Sequence, residues 1–192
     1  MTELWLVRHG ETIWNQEGRL QGSIDIELNE NGVEQARQLA LKLKEVKFQS
    51  IFSSPLKRAL KTAEIIATQT GQTVQIDERL VEVRMGEWEG MRSVDIRRQF
   101  PDLVARRDAD PLHVPVPGGE NVLQLAVRVK KAIDEIAARY PAGPVLIVSH
   151  GLSLAAVICL VRDISLNEVF RHIPENATPA IVEWIPGQVV LP

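Results

Sequence analysis

Two histidines share one local setting. His9 follows Leu4-Trp5-Leu6-Val7-Arg8 and precedes Gly10; His150 follows Val145-Leu146-Ile147-Val148-Ser149 and precedes Gly151. Each stretch reads as a buried-type strand, a polar residue, a histidine and a glycine. A single histidine at a strand end is more often an ordinary hydrogen-bonded loop residue than a catalyst, but two in one layout reverse that expectation. Imidazole is a nucleophile and proton carrier near neutral pH. Arg8 stands directly before His9, and Arg58 lies just inside the helical pattern that opens at Ser54-Pro55. The planar fork of arginine matches phosphate oxygens, and a helix N-terminus offers free N–H groups to an anion. Taken singly, Arg58 would be read as a surface salt-bridge partner. Two histidines and two arginines at one rim suit a dianionic phosphate. A carboxylic acid near such a rim can act as proton donor. Residue types leave that choice open among Glu82, Glu87, Glu89 and Glu120.

The elements that must position these residues alternate between strand and helix. Asn29 to Val46 carries apolar residues at helical spacing, with Asn29 as N-cap. Gln49 to Ser53 reads as a strand. Ser54 then serves as N-cap, with Pro55 at the first position of a helix that turns Ala59, Ala63, Ile66 and Ala67 inward. Thr73 to Asp77 is a short β-branched strand. Residues 84–118 change texture, with many arginines and the breakers Pro101, Pro111, Pro115 and Pro117, and read as a partly helical excursion. Asn121 to Arg139 resumes a helix with Val122, Leu125, Val129, Ile133 and Ile136 on one face, Val145 to Val148 is the most buried-looking strand, and Leu152 to Val161 is an apolar helix. Ala180–Trp184 and Val189–Leu191 flank Pro186-Gly187 as a hairpin. Continuous apolar strands alternating with helices predict an α/β fold with a largely parallel sheet. Ligands of such sheets bind beyond the carboxyl ends of the strands, where both histidines fall. His113 and His172 lack the shared layout and are expected to be structural or solvent-facing.

Composition narrows the class. The chain has 192 residues, 45% of them hydrophobic, and a net charge of −3 from 22 Lys+Arg against 25 Asp+Glu. A single domain over residues 1–192 is expected, with 84–118 as a lid-like insertion. The apolar content excludes a disordered chain, and the weak negative charge argues against a globally basic nucleic-acid binder. Cys159 is the only cysteine, which excludes an internal disulfide and a cysteine-based zinc cluster. No apolar run is long enough for a membrane span and no signal-peptide pattern opens the chain, so a cytoplasmic location is expected.

Arg8-His9-Gly10-Glu11-Thr12 resembles the signature of the histidine phosphatase superfamily, the phosphoglycerate mutase-like family. The resemblance runs through Trp14-Asn15, Arg19-Leu20-Gln21-Gly22, Leu28-Asn29-Glu30-Asn31-Gly32, Ser53-Ser54-Pro55 with Arg58-Ala59 and Thr62-Ala63, Leu80-Val81-Glu82, Gly86-Glu87-Trp88-Glu89-Gly90, Pro117-Gly118-Gly119-Glu120 and Ser149-His150-Gly151. An Arg-His-Gly triplet alone is weak; the ordered set is specific. The resemblance implies a three-layer α/β/α sandwich with a mostly parallel sheet and a helical lid. It implies His9 as the nucleophile that takes the phosphoryl group, with Arg8, Arg58 and His150 as the phosphate pocket. It points to Glu82 as proton donor, to Asn15, Gln21 and Gly22 lining the substrate phosphate, and to Gly151 as support for His150. Asn121 departs from a position where serine is frequent.

The activity implied is hydrolysis of a small phosphorylated metabolite, releasing inorganic phosphate, with no metal and no cofactor. Neither nucleic acid nor membrane is expected as a partner, and the terminal hairpin offers an edge for homodimer pairing. A phosphoglycerate mutase is the alternative; the short 84–118 segment favours release to water, since a mutase needs more cover over its intermediate. A non-catalytic phospho-ligand binding module is a third reading. A metal hydrolase using His9, His150 and a carboxylate is a fourth, disfavoured by two adjacent arginines and the lack of an H-E-x-x-H helix.

Overall fold

The computed structural model describes residues 1–141 and 143–191. Five strands form one sheet in the order β3-β2-β4-β1-β5: β1 (Thr2–Arg8), β2 (Ser50–Ser53), β3 (Val74–Ile76), β4 (Val145–Ser149) and β5 (Pro179–Trp184). All pairings are parallel except β1 with β5, so the expected mostly parallel sheet carries one antiparallel edge strand. The central strand β4 is buried along its whole length. Its alternating side chains enter two separate cores: Val145 and Ile147 join one, Leu146 and Val148 the other. A strand clothed on both faces must be apolar throughout, which is why Val145 to Val148 has no polar alternation.

Helices α2 (Glu30–Leu43) and α3 (Lys57–Thr70) cover one face; α6 (Val122–Arg139) and α7 (Gly151–Val161) cover the other. Asn29 caps α2, its side chain accepting from Gly32 N at 2.7 Å. Asn121, the departure from serine, caps α6: it accepts from Gln124 N at 2.8 Å, while Gln124 accepts from Asn121 N at 3.0 Å. The predicted inward residues of α3 and α6 are buried as expected. The 84–118 excursion is partly helical: a 3₁₀ turn at Gly86–Trp88, then α4 (Ser93–Gln99) and α5 (Pro101–Ala109).

Three expectations about boundaries need correction. Helix α2 ends at Leu43 rather than Val46. Helix α3 begins at Lys57, two residues after Pro55, with Leu56 at the N-cap position and no cap from its side chain. The Ser54 hydroxyl is committed instead to His150 at 2.8 Å, and Asp25 reaches across to accept from Lys57 N at 2.7 Å. The terminal hairpin does not form: the chain turns at Pro186-Gly187, but residues 189–191 are not a strand. Asp134 on α6 holds that turn, accepting from Trp184 Nε1 at 2.8 Å and Gly187 N at 3.2 Å. Val189 and Leu191 then pack on the core, so the free sheet edge at that end belongs to β5 itself.

Candidate active site

Register brings the two histidines together. Strands β1 and β4 pair with Arg8 opposite Ser149, and His9 N donates to Ser149 O at 3.0 Å. The residues that follow leave the sheet side by side, with ring centroids 5.2 Å apart and planes tilted by 58°. Both rings are buried, His9 with 3% and His150 with 0% exposure. Burial, and then the charge of Arg58, hold both well below the ordinary histidine value, so both imidazoles are neutral near pH 7.

The two neutral rings have different hydrogen-bond partners. His9 Nδ1 lies 2.7 Å from Gly10 O. A carbonyl only accepts, so Nδ1 carries the proton and Nε2 keeps its lone pair. His150 Nε2 lies 2.8 Å from Ser54 Oγ, which also accepts from Leu56 N at 3.3 Å. Ser54 is thereby placed to donate to Nε2, which leaves His150 Nδ1 as a proton-bearing nitrogen with no partner. One ring is arranged to attack and the other to donate.

The arginines are anchored by backbone carbonyls, Arg58 fully buried and Arg8 half-buried. Arg58 has 0% exposure; its Nη1 donates to Ile24 O at 2.7 Å and its Nη2 to Gly22 O at 2.8 Å. Burial pulls its guanidinium down to about 10, so it keeps its charge near neutrality. Arg8 Nη1 donates to Pro174 O at 3.0 Å. In both, Nε has no partner. Of the six buried side-chain polar atoms without a partner among the described residues, four belong to Arg8, Arg58, His150 and Gln21. Buried polar groups are ordinarily satisfied, so a cluster of orphans marks where a polar ligand sits.

Arg8, His9, Asn15, Gln21, Arg58 and Glu82 are walls of a cavity of about 230 Å³; His150 is not one of its lining residues. Gly22 and Gly151 complete that wall. Asn15 is tied to the turn after His9, its Oδ1 accepting from Thr12 N and Oγ1 at 3.1 Å each. Gly22 has a φ of +51°, and a Cβ there would strike the Glu89 carboxylate. Gly151 is demanded by crowding: a Cβ would meet Ile173 Cγ2 at 3.1 Å, with Glu82 Oε2 at 3.5 Å and Arg8 Nε at 3.6 Å. Gly10 packs its α-carbon against the backbone of Gly32 in α2, where a Cβ would clash.

Glu82 sits at the N-terminus of α7. Its carboxylate accepts from Leu152 N at 3.1 Å, Ser153 N at 3.2 Å, Ser153 Oγ at 3.3 Å and Val83 N at 2.9 Å. The anion at that helix end is therefore a side chain of the protein, suited by the helix dipole. The N-terminus of α3, expected to face the phosphate, carries Asp25 instead. The other three candidate carboxylates have other work or none at the cavity. Glu120 pairs with Arg128 at 2.8 Å, Glu89 accepts from Ser23 N at 2.8 Å and Met85 N at 3.1 Å, and Glu87 is exposed. His113 is exposed and bonds Asp110, as its context suggested.

Several supporting residues escaped the sequence reading. Ser54 orients His150; Asn176 Nδ2 donates to His9 O at 2.7 Å; Thr62 Oγ1 accepts from Gly10 N at 3.1 Å. Arg128 braces the Glu82 turn, with Nη1 donating to Arg79 O at 2.7 Å and Val81 O at 2.9 Å. Ser54, inside Ser53-Ser54-Pro55, and Thr62, inside Thr62-Ala63, fall within the family pattern, whereas Asn176 and Arg128 carry no local signal. Among the described residues, no three side chains of the His, Cys, Asp or Glu types converge at metal-binding spacing.

The fold and the site together define an α/β protein with an arginine- and histidine-lined cavity at the carboxyl edge of its sheet. Residues 4–191 match the model of the histidine phosphatase superfamily (branch 1), and the chain belongs to that family. Phosphoserine phosphatase 1 of Hydrogenobacter thermophilus is 34% identical over 95% of this chain and 86% of its own length. The relative named Probable phosphoglycerate mutase GpmB, of Escherichia coli, is 38% identical over 85% of this chain and 75% of its own. Among solved structures, a mycobacterial glucosyl-3-phosphoglycerate phosphatase in complex with VO3 superposes with a TM-score of 0.85 at 30% identity. That match covers 93% of this chain and 90% of the other.

Proposed function

We propose that this protein hydrolyses phosphomonoesters of a small metabolite through a phosphohistidine on His9. The observation that carries this reading is the state of the His9 ring: neutral, with Nδ1 bound to Gly10 O and Nε2 free at a cavity that Arg8 and Arg58 also line. In the first step the Nε2 lone pair forms a bond to phosphorus and the ester P–O bond breaks. Glu82 gives a proton to the departing oxygen. In the second, water attacks phosphorus, Glu82 takes its proton, the N–P bond breaks and phosphate leaves. Arg8, Arg58 and His150 Nδ1 hold the charge that spreads over the equatorial oxygens. Asn15, Gln21 and Gly22 line the phosphate, and Gly151 lets Glu82 and Arg8 approach it. The chain acts as one unit over its full length, and residues 84–118 cover the site. No metal or cofactor takes part, because the arginines supply the positive charge.

Relatives named as phosphoserine phosphatase and glucosyl-3-phosphoglycerate phosphatase support hydrolysis as the outcome. The mutase-named relative supports a second reading, in which the phosphoryl group returns to another substrate oxygen. A panel of phosphate esters, assayed with and without chelator and bisphosphoglycerate, separates the two. Phosphate release that ignores both additions and passes through an acid-labile phosphoenzyme is expected. A strict bisphosphoglycerate requirement would establish the mutase, and loss of turnover with chelator would refute the metal-free mechanism.

A further inference from the structure

A second cavity, of about 290 Å³, adjoins the phosphate pocket; Leu20, Met85 and Ser93 are walls of both. It is the natural place for the alcohol portion of an ester whose phosphate lies against His9. Its lining is mainly apolar, with Trp88, Ile96, Val104 and Phe170. Within it stands Arg107, a cation with only 6% exposure.

Arg107 is buried, whereas the other five arginines of the 84–118 segment are exposed. Arg97 pairs with Asp108 at 3.5 Å, Arg98 with Asp95 at 3.0 Å and Arg84 with Glu120 at 3.7 Å. Arg107 makes no ion pair among the described residues. Its one hydrogen bond runs from Nε to Val114 O at 3.3 Å, and Nη2 has no partner. Its guanidinium carbon lies 5.4 Å from the Trp88 ring centroid and 5.8 Å from that of Phe170. Trp88 Nε1 is likewise buried without a partner. The two orphaned buried donors outside the phosphate pocket therefore belong to neighbouring side chains on this one cavity. Asp108 also borders it, but its carboxylate is turned to Arg97 and is largely exposed. A buried cation normally has a counter-ion, and stacking on two rings offsets only part of its desolvation.

Resting on the phosphatase reading above, we infer that Arg107 and Trp88 form an acceptor site for a carboxylate on the substrate alcohol. The favoured substrates are then phosphate esters of small hydroxy acids. The phosphate pocket sets the reaction, and the Arg107 cavity sets which esters are chosen. A charge-assisted hydrogen bond contributes roughly 1.5–3 kcal/mol, equivalent to about 10- to 150-fold in kcat/KM.

The experiment compares two esters that differ only in the carboxylate, O-phosphoserine and O-phosphoethanolamine, in the wild type, Arg107→Lys and Arg107→Met. The wild type is expected to favour O-phosphoserine by at least tenfold. That ratio should fall to near one in Arg107→Met and be partly kept in Arg107→Lys. A ratio near one in the wild type, or a ratio unchanged in Arg107→Met, overturns the inference. Hydrolysis of p-nitrophenyl phosphate reports separately on the phosphatase reading. If it fails, calorimetric binding of the same two esters to His9→Ala protein still measures the ratio. A folded Arg107→Lys protein keeps the comparison available should Arg107→Met not fold.

Discussion

His9 and His150 start from the same local sequence and become the same neutral Nδ1–H tautomer, yet each is left with the opposite nitrogen free. Each leaves a parallel central strand, each is followed by glycine, and each is buried and neutral. The difference lies in what meets the ring. After His9 the chain runs through an extended turn to α1 (Ile13–Gln16), and the Gly10 carbonyl folds back to take the Nδ1 proton. His150 is itself the N-cap position of α7, with its ring against the Ser54 hydroxyl from the end of β2. A repeated motif thus supplies two copies of one functional group, and the neighbours leave a free lone pair on one ring and a free N–H on the other.

Substitutions should break that division unequally. His9→Ala removes the nucleophile and should lower kcat by at least roughly 10³-fold, with no radiolabelled phosphoenzyme after acid quench. His150→Ala should cost about 10²–10³-fold yet still allow label to accumulate, since it removes only a donor to the transition state. Label on His9→Ala protein would reverse the assignment. Glu82→Gln should slow alkyl phosphates by about 10²–10⁴-fold and p-nitrophenyl phosphate far less, because a good leaving group needs no proton. Equal losses on both esters would remove Glu82 from the role of acid.

Smaller effects sharpen the picture. Ser54→Ala leaves His150 in place without its orienting hydroxyl and should reduce kcat a few-fold, to about tenfold at most. An unchanged kcat would mean that packing alone orients the ring. The last effect is on stability. The folded protein keeps both rings neutral, whereas the unfolded chain protonates them near the ordinary value of 6.5. The unfolded state then binds more protons as pH falls, so stability should drop by about 1 kcal/mol per histidine between pH 7 and 5.5. Urea titrations at the two pH values measure the drop, and His150→Gln should remove one histidine's share. Paired carboxylates such as Glu120 and Asp134 are held below their ordinary values, so their losses come at lower pH and do not confuse this window.

What could be read from the sequence followed from range. Strand and helix cores were legible because periodicity is local: β4, α3 and α6 bury the residues their spacing indicated. The meeting of His9 and His150 was legible because parallel neighbours end at one edge. Ser54 was misread as a helix cap because its real partner is 96 residues away, and the Asp25 cap of α3 is 32 residues away. The terminal hairpin failed for a similar reason: Pro186-Gly187 does turn the chain, but Asp134 on a distant helix decides where the turn points. The four-way choice of carboxylate had no local answer either. The family resemblance points to Glu82, and the packing of its turn against the start of α7, where it borders the cavity, sets it apart from Glu87, Glu89 and Glu120.

The clamp on Arg58 bears on when the site comes into being. Its guanidinium is held by the carbonyls of Gly22 and Ile24, in a loop with no regular secondary structure, while the arginine itself rides on α3. The pocket therefore exists only when that loop is closed on α3, and is not a property of the sheet and helices alone. Opening the loop would expose a buried cation and dismantle the pocket in one event, coupling local unfolding to loss of ligand. A bound phosphate would hold the two halves together by mass action, and the amides of residues 21–25 would gain protection from hydrogen exchange in proportion to its occupancy.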